Sequence, residues 1–407
     1  MTKKKLKIAL TLILAATAGV AHAQSIRPTY SYPSSAASKE GAASVQVGES
    51  PVYFTPFVGL GVGHDSNVLL SNTNERGSNL YIVSPGFKID TRTAATVFQL
   101  SHQSQFGRYT SSSDDNYLDH VSKAQLDMAF SGRSFLRLGF DYIRGHDPRG
   151  STDRGISTSP DKYSLRSPNV TYAYGAPGAQ GRVELYAADT HKTYINNRDR
   201  TSFSDRDTTE YGGAFYWRVM PKTYVLAEAR ETNISYEASS SPFSGDEHRV
   251  FAGVMWEATA ATTGTFKVGQ LRRSFDRGGF PSKTSTSWEG LITWSPRTYS
   301  QFDFYTARST NESTGLGSFI LTDVYGVNWT HSWTSVVSTG VNLRYQRDEY
   351  QGFNRTDDTK SLGLRAGYKF RRWLTLGAEY TYTNRASNQP GIDYDKNLYL
   401  LTATASM

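Results

Sequence analysis

Apolar and polar residues alternate along most of the chain, from about Val52 to the C-terminus. In residues 361–370 every second residue is apolar: Leu362, Leu364, Ala366, Tyr368 and Phe370. Residues 374–383 repeat this pattern. Successive side chains of a β-strand point to opposite faces of a sheet, so a period of two predicts strands with one apolar and one polar face.

The breaks between these stretches alternate between short and long. Short breaks fall near residues 90–95, 131–134, 176–181, 220–222, 258–264, 295–298, 332–335 and 370–373. Longer polar breaks fall near residues 65–78, 111–116, 145–162, 195–205, 237–246, 276–283, 311–317, 348–356 and 385–393. Eight short and nine long connections predict an all-β fold, a transmembrane antiparallel β-barrel of about 18 strands with both termini periplasmic.

Aromatic residues make up 13% of the chain and recur near the predicted strand ends. They are Tyr81, Tyr109, Tyr142, Trp217, Trp256, Trp294, Trp333, Trp373 and Tyr399. Amphipathic rings favour the membrane–water interface, so we predict that these residues form girdles around the barrel. A water-soluble sandwich or propeller is the alternative fold, but shorter strands or a fixed repeat would be expected there.

The N-terminal residues do not follow this alternating pattern. Four lysines in residues 3–7, an apolar run over residues 8–20 and Ala21-His22-Ala23 predict a signal peptide at residues 1–23. Residues 24–51, rich in Ser, Ala and Pro, predict a flexible periplasmic segment, so the barrel is expected at 52–407. The signal peptide carries more than half of the formal net charge of +7. The remaining bases alternate with acids, so we expect no nucleic-acid partner.

Few residues suggest catalytic or metal-binding chemistry. The absence of cysteine excludes disulfides and thiolate metal sites. The glycine-rich run over residues 59–63 is not followed by a helical pattern, as a nucleotide-binding loop would be. The histidines lack ligand spacing, and no Ser–His–Asp or paired-acid cluster stands out. We therefore expect no catalytic residue, no metal and no cofactor; an enzyme with a site in its loops is the least favoured function class.

The polar faces of the predicted strands carry both signs of charge. The candidate lumen-lining residues are Arg137, Asp141, Glu184, Glu228, Arg230, Asp303, Arg344, Arg365, Lys369 and Glu379. They predict a hydrated, mixed-charge channel without strong selectivity for cations or anions. Alternatively, pairs such as Arg137 and Asp141 only brace the wall. A barrel of this size is wide enough for an aqueous pore, and residues 145–162 could fold inward as a constriction.

Short motifs at the start of the barrel carry a family resemblance. They are His64-Asp65-Ser66-Asn67-Val68, Ser84-Pro85-Gly86-Phe87, and Tyr109 followed by Asn116-Tyr117-Leu118-Asp119-His120. The chain resembles the outer-membrane β-barrel porins that are encoded in exopolysaccharide and capsule loci. His64 stands where that family usually has an aromatic residue.

The resemblance implies a channel that exports exopolysaccharide across the outer membrane. The implied partners are the polysaccharide as transported substrate, outer-membrane lipid and lipopolysaccharide around the barrel, and a periplasmic export apparatus. The family supplies no catalytic residues. A general diffusion porin for small solutes is the alternative function, and the sequence leaves it open.

Overall fold

The computed structural model describes residues 44–407 except residues 92, 94, 155, 156, 257–260, 278 and 314. The predicted signal peptide, and the predicted flexible segment as far as residue 43, lie outside the described residues. Within them the strands are β1 (Val45–Gln46), β2 (Val52–Asp65), β3 (Ser78–Thr91), β4 (Thr96–Tyr109), β5 (Tyr117–Ser131), β6 (Ser134–Asp147), β7 (Asp161–Tyr174), β8 (Gly181–Tyr194), β9 (Arg206–Met220), β10 (Thr223–Tyr236), β11 (Gly245–Trp256), β12 (Thr262–Arg273), β13 (Lys283–Arg297), β14 (Ser300–Asn311), β15 (Phe319–Ser332), β16 (Val337–Gln351), β17 (Thr356–Arg371), β18 (Leu374–Ser387) and β19 (Tyr394–Ser406). One short helix, α1 (Arg198–Thr201), and the 3₁₀ turns Ser113–Asp115 and Ser202–Ser204 lie in loops.

Strands β2 to β19 close into a barrel. Each strand pairs antiparallel with the next, and β19 pairs back onto β2 with Leu401 opposite Val62. This confirms the predicted all-β fold and its eighteen strands. The predicted short and long breaks coincide with the connections at the two ends, which we call the turn end and the loop end. Outside the barrel wall, β1 pairs with the start of β2, so residues 44–51 include a short hairpin strand.

No helix in the described part of the chain is long and apolar enough to cross a membrane. The strands show why the alternating pattern arises. One face carries exposed apolar side chains, for example Leu60 at 52% exposure and Leu401 at 61%. The other face carries mainly polar and small residues, with some buried apolar side chains.

The face with charged residues is the inner one. Arg230 of β10 and Glu289 of β13 are three strands apart in the wall, yet Arg230 Nη1 lies 2.8 Å from Glu289 Oε1. Strands are spaced by about 4.8 Å, so side chains this far apart in the wall meet only on its concave side. The exposed apolar face therefore points outward, where it can contact lipid.

The predicted aromatic girdle needs one correction. By register, Tyr81, Trp217, Trp294 and Tyr399 lie on the outer face, where they are exposed. Tyr109 lies instead on the inner face, opposite Leu80. It packs against the buried cluster of Leu80, Ile82, Tyr117, Leu398 and Leu400. Tyr109 was assigned to the girdle because it is near a strand end, and that position does not determine which face a side chain occupies.

Candidate pore lumen and constriction

The strand register places all ten candidate lumen residues on the inner face. On its own strand, each candidate stands between residues whose side chains point outward. Their part in conduction stays a prediction. Their surroundings differ widely, from a buried ionic network to open solvent.

Glu228 and Arg230 belong to a buried ionic network with Lys267 and Glu289. Arg230 Nη2 lies 2.6 Å from Glu228 Oε1. Lys267 Nζ lies 2.8 Å from Glu228 Oε2 and 2.7 Å from Glu289 Oε2. Arg230 is 5% exposed and Glu289 1%. Burial of an unpaired charge is costly, so the alternation of two acids with two bases is what makes this arrangement stable.

Tyrosine and arginine side chains extend this network along β8 and β9. The Tyr186 hydroxyl donates to Glu228 Oε1 at 3.0 Å. Arg182 pairs with Glu184 at 3.2 Å, and its guanidinium lies 4.3 Å from the centre of the Tyr216 ring. Long side chains thus interlock over the inner face from β8 to β13. We call this region the thick wall.

The predicted brace between Arg137 and Asp141 is wrong in its pairing. Arg137 Nε instead contacts Asp127 Oδ1 at 2.7 Å, and Asp141 lies 3.9 Å from Lys123 Nζ. Residues four apart on one strand are about 13 Å apart, which is too far for an ion pair. Each side chain therefore pairs with the residue directly opposite on β5.

The other candidates are more open to the lumen. Arg365 and Glu379 face each other on β17 and β18 with 3.4 Å between Nε and Oε1. Asp303 accepts hydrogen bonds from Thr293 and Gln301, and Arg344 donates to Gln346. Lys369 is exposed and forms no ion pair among the described residues.

A second wall, from β16 to β19 and β2, carries mainly small inward residues. In a ring of eighteen strands, β18 stands opposite β9 of the thick wall. We call this region the thin wall. Its small inward residues are Ser338, Gly340, Asn342, Ser361, Gly363, Gly367, Thr375, Gly377, Thr381, Thr383, Thr402, Thr404, Gly59 and Gly61. Arg344, Arg365, Lys369 and Glu379 also point inward from this wall. Because many of its other inward side chains are short, we expect the wider part of the lumen beside the thin wall.

The loop between β6 and β7, described at residues 148–154 and 157–160, crosses the loop end of the barrel. Asp153 Oδ2 accepts hydrogen bonds from Ser313 Oγ at 2.9 Å and from the Leu316 amide at 3.1 Å. These partners lie in the loop between β14 and β15, eight strands further round the ring. Arg385 Nη2 of β18 donates to the Gly150 carbonyl at 3.2 Å. We call residues 148–160 the crossing loop; they lie inside the predicted segment 145–162.

The base of the crossing loop is also held by charge. Arg149 Nε donates to Asp115 Oδ1 at 2.8 Å. This hydrogen bond raises the pKa of the Arg149 guanidinium above its ordinary value. Arg154 Nε contacts Asp161 Oδ2 at 3.1 Å at the other end of the loop.

The His64–Val68 motif forms a folded corner between β2 and its loop. Asn67 is fully buried; its side-chain amide donates to the carbonyls of Ser71 at 2.7 Å and Asp395 at 2.9 Å. Asp65 pairs with Lys396 at 2.6 Å. The Asn67 hydrogen bond to Asp395 and the Asp65–Lys396 ion pair therefore attach the first loop to β19.

Sequence reasoning missed several residues of the thick wall, namely Arg182, Tyr186, Glu247, Arg249, Lys267 and Glu289. Lys267 stands between Phe266 and Val268, two exposed outward residues. That local alternation was a usable signal for an inward lysine. Glu289 gave a weaker signal, because its neighbours are Trp288 and Gly290.

Comparison with protein families matches residues 46–407 to the family described as “Putative beta-barrel porin 2”. No curated protein matches the chain. Among solved structures, OpdK of Pseudomonas aeruginosa is similar at 11% identity with a TM-score of 0.48, over 87% of this chain and 98% of OpdK. OccAB4 of Acinetobacter baumannii is similar at 9% identity with a TM-score of 0.47, over 88% of this chain and 99% of OccAB4.

Proposed function

This chain belongs to the family described as “Putative beta-barrel porin 2”, and we propose that it exports an exopolysaccharide across the outer membrane. The family and the closed barrel make it an outer-membrane β-barrel porin. The cargo and the direction of transport are what we propose.

The observation that carries the proposal is the contrast between the two walls of the lumen. On the thick wall, acids and bases are paired side by side, so they present little net field to a passing molecule. The thin wall offers Ser, Thr and Asn side chains and glycine backbone, mainly in the middle and turn-end part of its strands. A sugar polymer that slides benefits from many weak hydrogen bonds, and this path offers them between a few charged side chains such as Lys369 and the Arg365–Glu379 pair.

The orientation completes the proposal. We infer that residues 1–23 are a cleaved signal peptide and that the turn end and both termini face the periplasm, as short turns do in such barrels. The polymer then enters at the turn end from a periplasmic export apparatus. It then leaves past the crossing loop, and on its way it also contacts the tyrosine side chains that point into the lumen.

A deletion strain tests this function. Loss of the gene should reduce secreted polymer and raise cell-associated polymer, and the wild-type gene on a plasmid should restore secretion. The measurement is sugar content of the supernatant and of the cell fraction after size separation. Normal secretion by the deletion strain would contradict the proposal.

A general diffusion porin for small solutes is the second candidate. The crossing loop favours it, because a loop held across the mouth leaves less room for a polymer than for a solute. Liposomes that contain the purified protein distinguish the two functions. Rapid uptake of mono- and disaccharides, together with normal polymer secretion by the deletion strain, would favour the diffusion porin.

A further inference from the structure

Two rows of mainly polar side chains lie side by side on the outer face of β4 to β8. Successive members of each row are directly opposite one another in the strand register. The first row is His102, Ser122, Tyr142, Arg166 and His191. The second row is Ser104, His120, Arg144, Ser164 and Thr193. We call these ten residues the outer polar patch.

Part of the outer polar patch is ordered by its own hydrogen bonds. His102 Nδ1 lies 2.8 Å from Ser122 Oγ, and His102 Nε2 lies 3.1 Å from Ser104 Oγ. Ser104 Oγ lies 2.9 Å from His120 Nδ1. The two imidazole rings are stacked with 5.9 Å between their centres. These groups are thus held in place on the outer face of the barrel.

The two arginines of the patch have no acidic partner. Arg144 and Arg166 are exposed and form no ion pair among the described residues. The outward positions of β4 to β7 also carry Arg108 and Lys162, and no acid. The acids of these strands, such as Asp127 and Asp141, all point inward.

Several cations elsewhere on the outer face are neutralised, although Arg272 of β12 and Lys360 of β17 are exposed without an ion pair among the described residues. Arg308 of β14 pairs with Asp323 directly opposite on β15. His191, at the edge of the patch, pairs with Asp207, and His248 pairs with Glu231. The outer polar patch differs from the other polar outward positions because β4 to β7 carry bases and no acid there, which gives a local excess of positive charge.

The patch adjoins the apolar surface of the barrel. On β6 the outward residues beside Tyr142 and Arg144 are Phe140 and Leu138, both exposed. On β4 and β5, Phe106 and Leu118 are exposed beyond Ser104 and His120. A ligand of the patch therefore has to combine an anionic group with an apolar body that lies along the barrel.

We propose that the outer polar patch binds the phosphate headgroup of an anionic lipid. Arg144 and Arg166 pair with the phosphate oxygens, because a guanidinium matches phosphate geometry in a bidentate way. Ser164 and His120, directly opposite Arg144, donate further hydrogen bonds, and the acyl chains pack on Phe140 and Leu138. The patch lies in the loop-end half of these strands, so the lipid is one of the leaflet around that end, such as lipid A of lipopolysaccharide.

Purified full-length protein in detergent tests the site. The variant is the double substitution Arg144→Gln/Arg166→Gln, and the probes are bis-phosphorylated lipid A, its dephosphorylated form and inorganic phosphate, each measured by native mass spectrometry. We expect wild-type protein to prefer the phosphorylated lipid. The double variant should bind it at least about tenfold more weakly, because two charged hydrogen-bond donors are lost.

The matched control is Arg308→Gln/Asp323→Asn, which removes a neutralised outward pair and should leave lipid binding unchanged. Unchanged circular dichroism in both variants shows that the barrel is intact. The proposal is overturned by any of three results: equal binding of both lipids by wild-type protein, equal binding by wild-type protein and the arginine double variant, or equal loss in the control. Inorganic phosphate bound as tightly as the lipid would also overturn it, since the site would then recognise a free anion.

Discussion

Glycine and tyrosine fit together across neighbouring strands on the inner face. Gly107 lies directly opposite Tyr117, and the Tyr117 ring covers it so closely that an added Cβ would lie 2.1 Å from a ring carbon. An aromatic ring over a facing glycine is a known stabilising contact in sheets. The ring also stacks on His146, with 4.5 Å between the ring centres.

Gly107→Ala should therefore destabilise the barrel. The new methyl group must displace the Tyr117 ring, and such overpacking costs about 1–3 kcal/mol. The free energy of unfolding in urea, with the protein in lipid vesicles, measures the effect. Gly132→Ala is the control, because an added Cβ there meets nothing within 4 Å. An equal loss in both variants would contradict the prediction.

Asn67→Ala should also destabilise the barrel, through lost hydrogen bonds. The substitution removes the donor to the carbonyls of Ser71 and Asp395 and the acceptor of the Ser71 amide, and each lost hydrogen bond costs about 0.5–1.5 kcal/mol. The measurement is the same unfolding curve. Asn72→Ala, at an exposed position of the same loop, should leave it unchanged. A stable Asn67→Ala variant would show that the corner is not held in this way.

Among single residues, the sequence indicated the structural importance of Asn67 but not that of Gly107. Asn67 stands in a motif with a family resemblance, so its importance was visible. The partner of Gly107 depends on the register between β4 and β5, which a single sequence does not determine. Tyr109 was misplaced for the related reason that one residue along a strand reverses the face.

Whole strands were the best predicted level. The alternation of apolar and polar residues persists because each strand has lipid on one side and the lumen on the other, so every strand carries the same signal. Short turns gave equally clear signals at positions such as Pro221 and Gly132. The pairing of inner charges was not predictable, as Arg137 and Asp127 show, because ion pairs form across strands rather than along them.

For a single structural element, we predict that the crossing loop restricts the pore. Asp153→Ala removes the acceptor for Ser313 Oγ and the Leu316 amide, so the loop should detach from the opposite side of the mouth. We expect larger single-channel conductance and more open-channel noise in planar bilayers. Thr158→Ala, an exposed change in the same loop, is the control and should behave like wild type. If Asp153→Ala conducts like wild type, the loop does not restrict the pore.

For the whole molecule, the sequence predicted the closed barrel and a lumen of mixed charge. It did not predict that a buried ionic network covers the thick wall while many small residues line the thin wall opposite. That division depends on which strands are diametrically opposite, and hence on closure of the ring between β19 and β2. We therefore expect the ion selectivity of the pore to depend on whether each inward charge keeps its oppositely charged partner.

Arg365 and Glu379 test this idea, because they form a partly exposed ion pair on the thin wall. With the pair intact, we expect potassium and chloride to permeate almost equally. Arg365→Gln leaves Glu379 unopposed and should shift the reversal potential in a KCl gradient towards cation selectivity; Glu379→Gln should shift it towards anions. At about 10 Å in water a unit charge contributes roughly 0.4 kcal/mol, about a twofold change in local ion concentration. The double variant should return to the wild-type value, and shifts of the same sign in both single variants would show that the pair does not set selectivity.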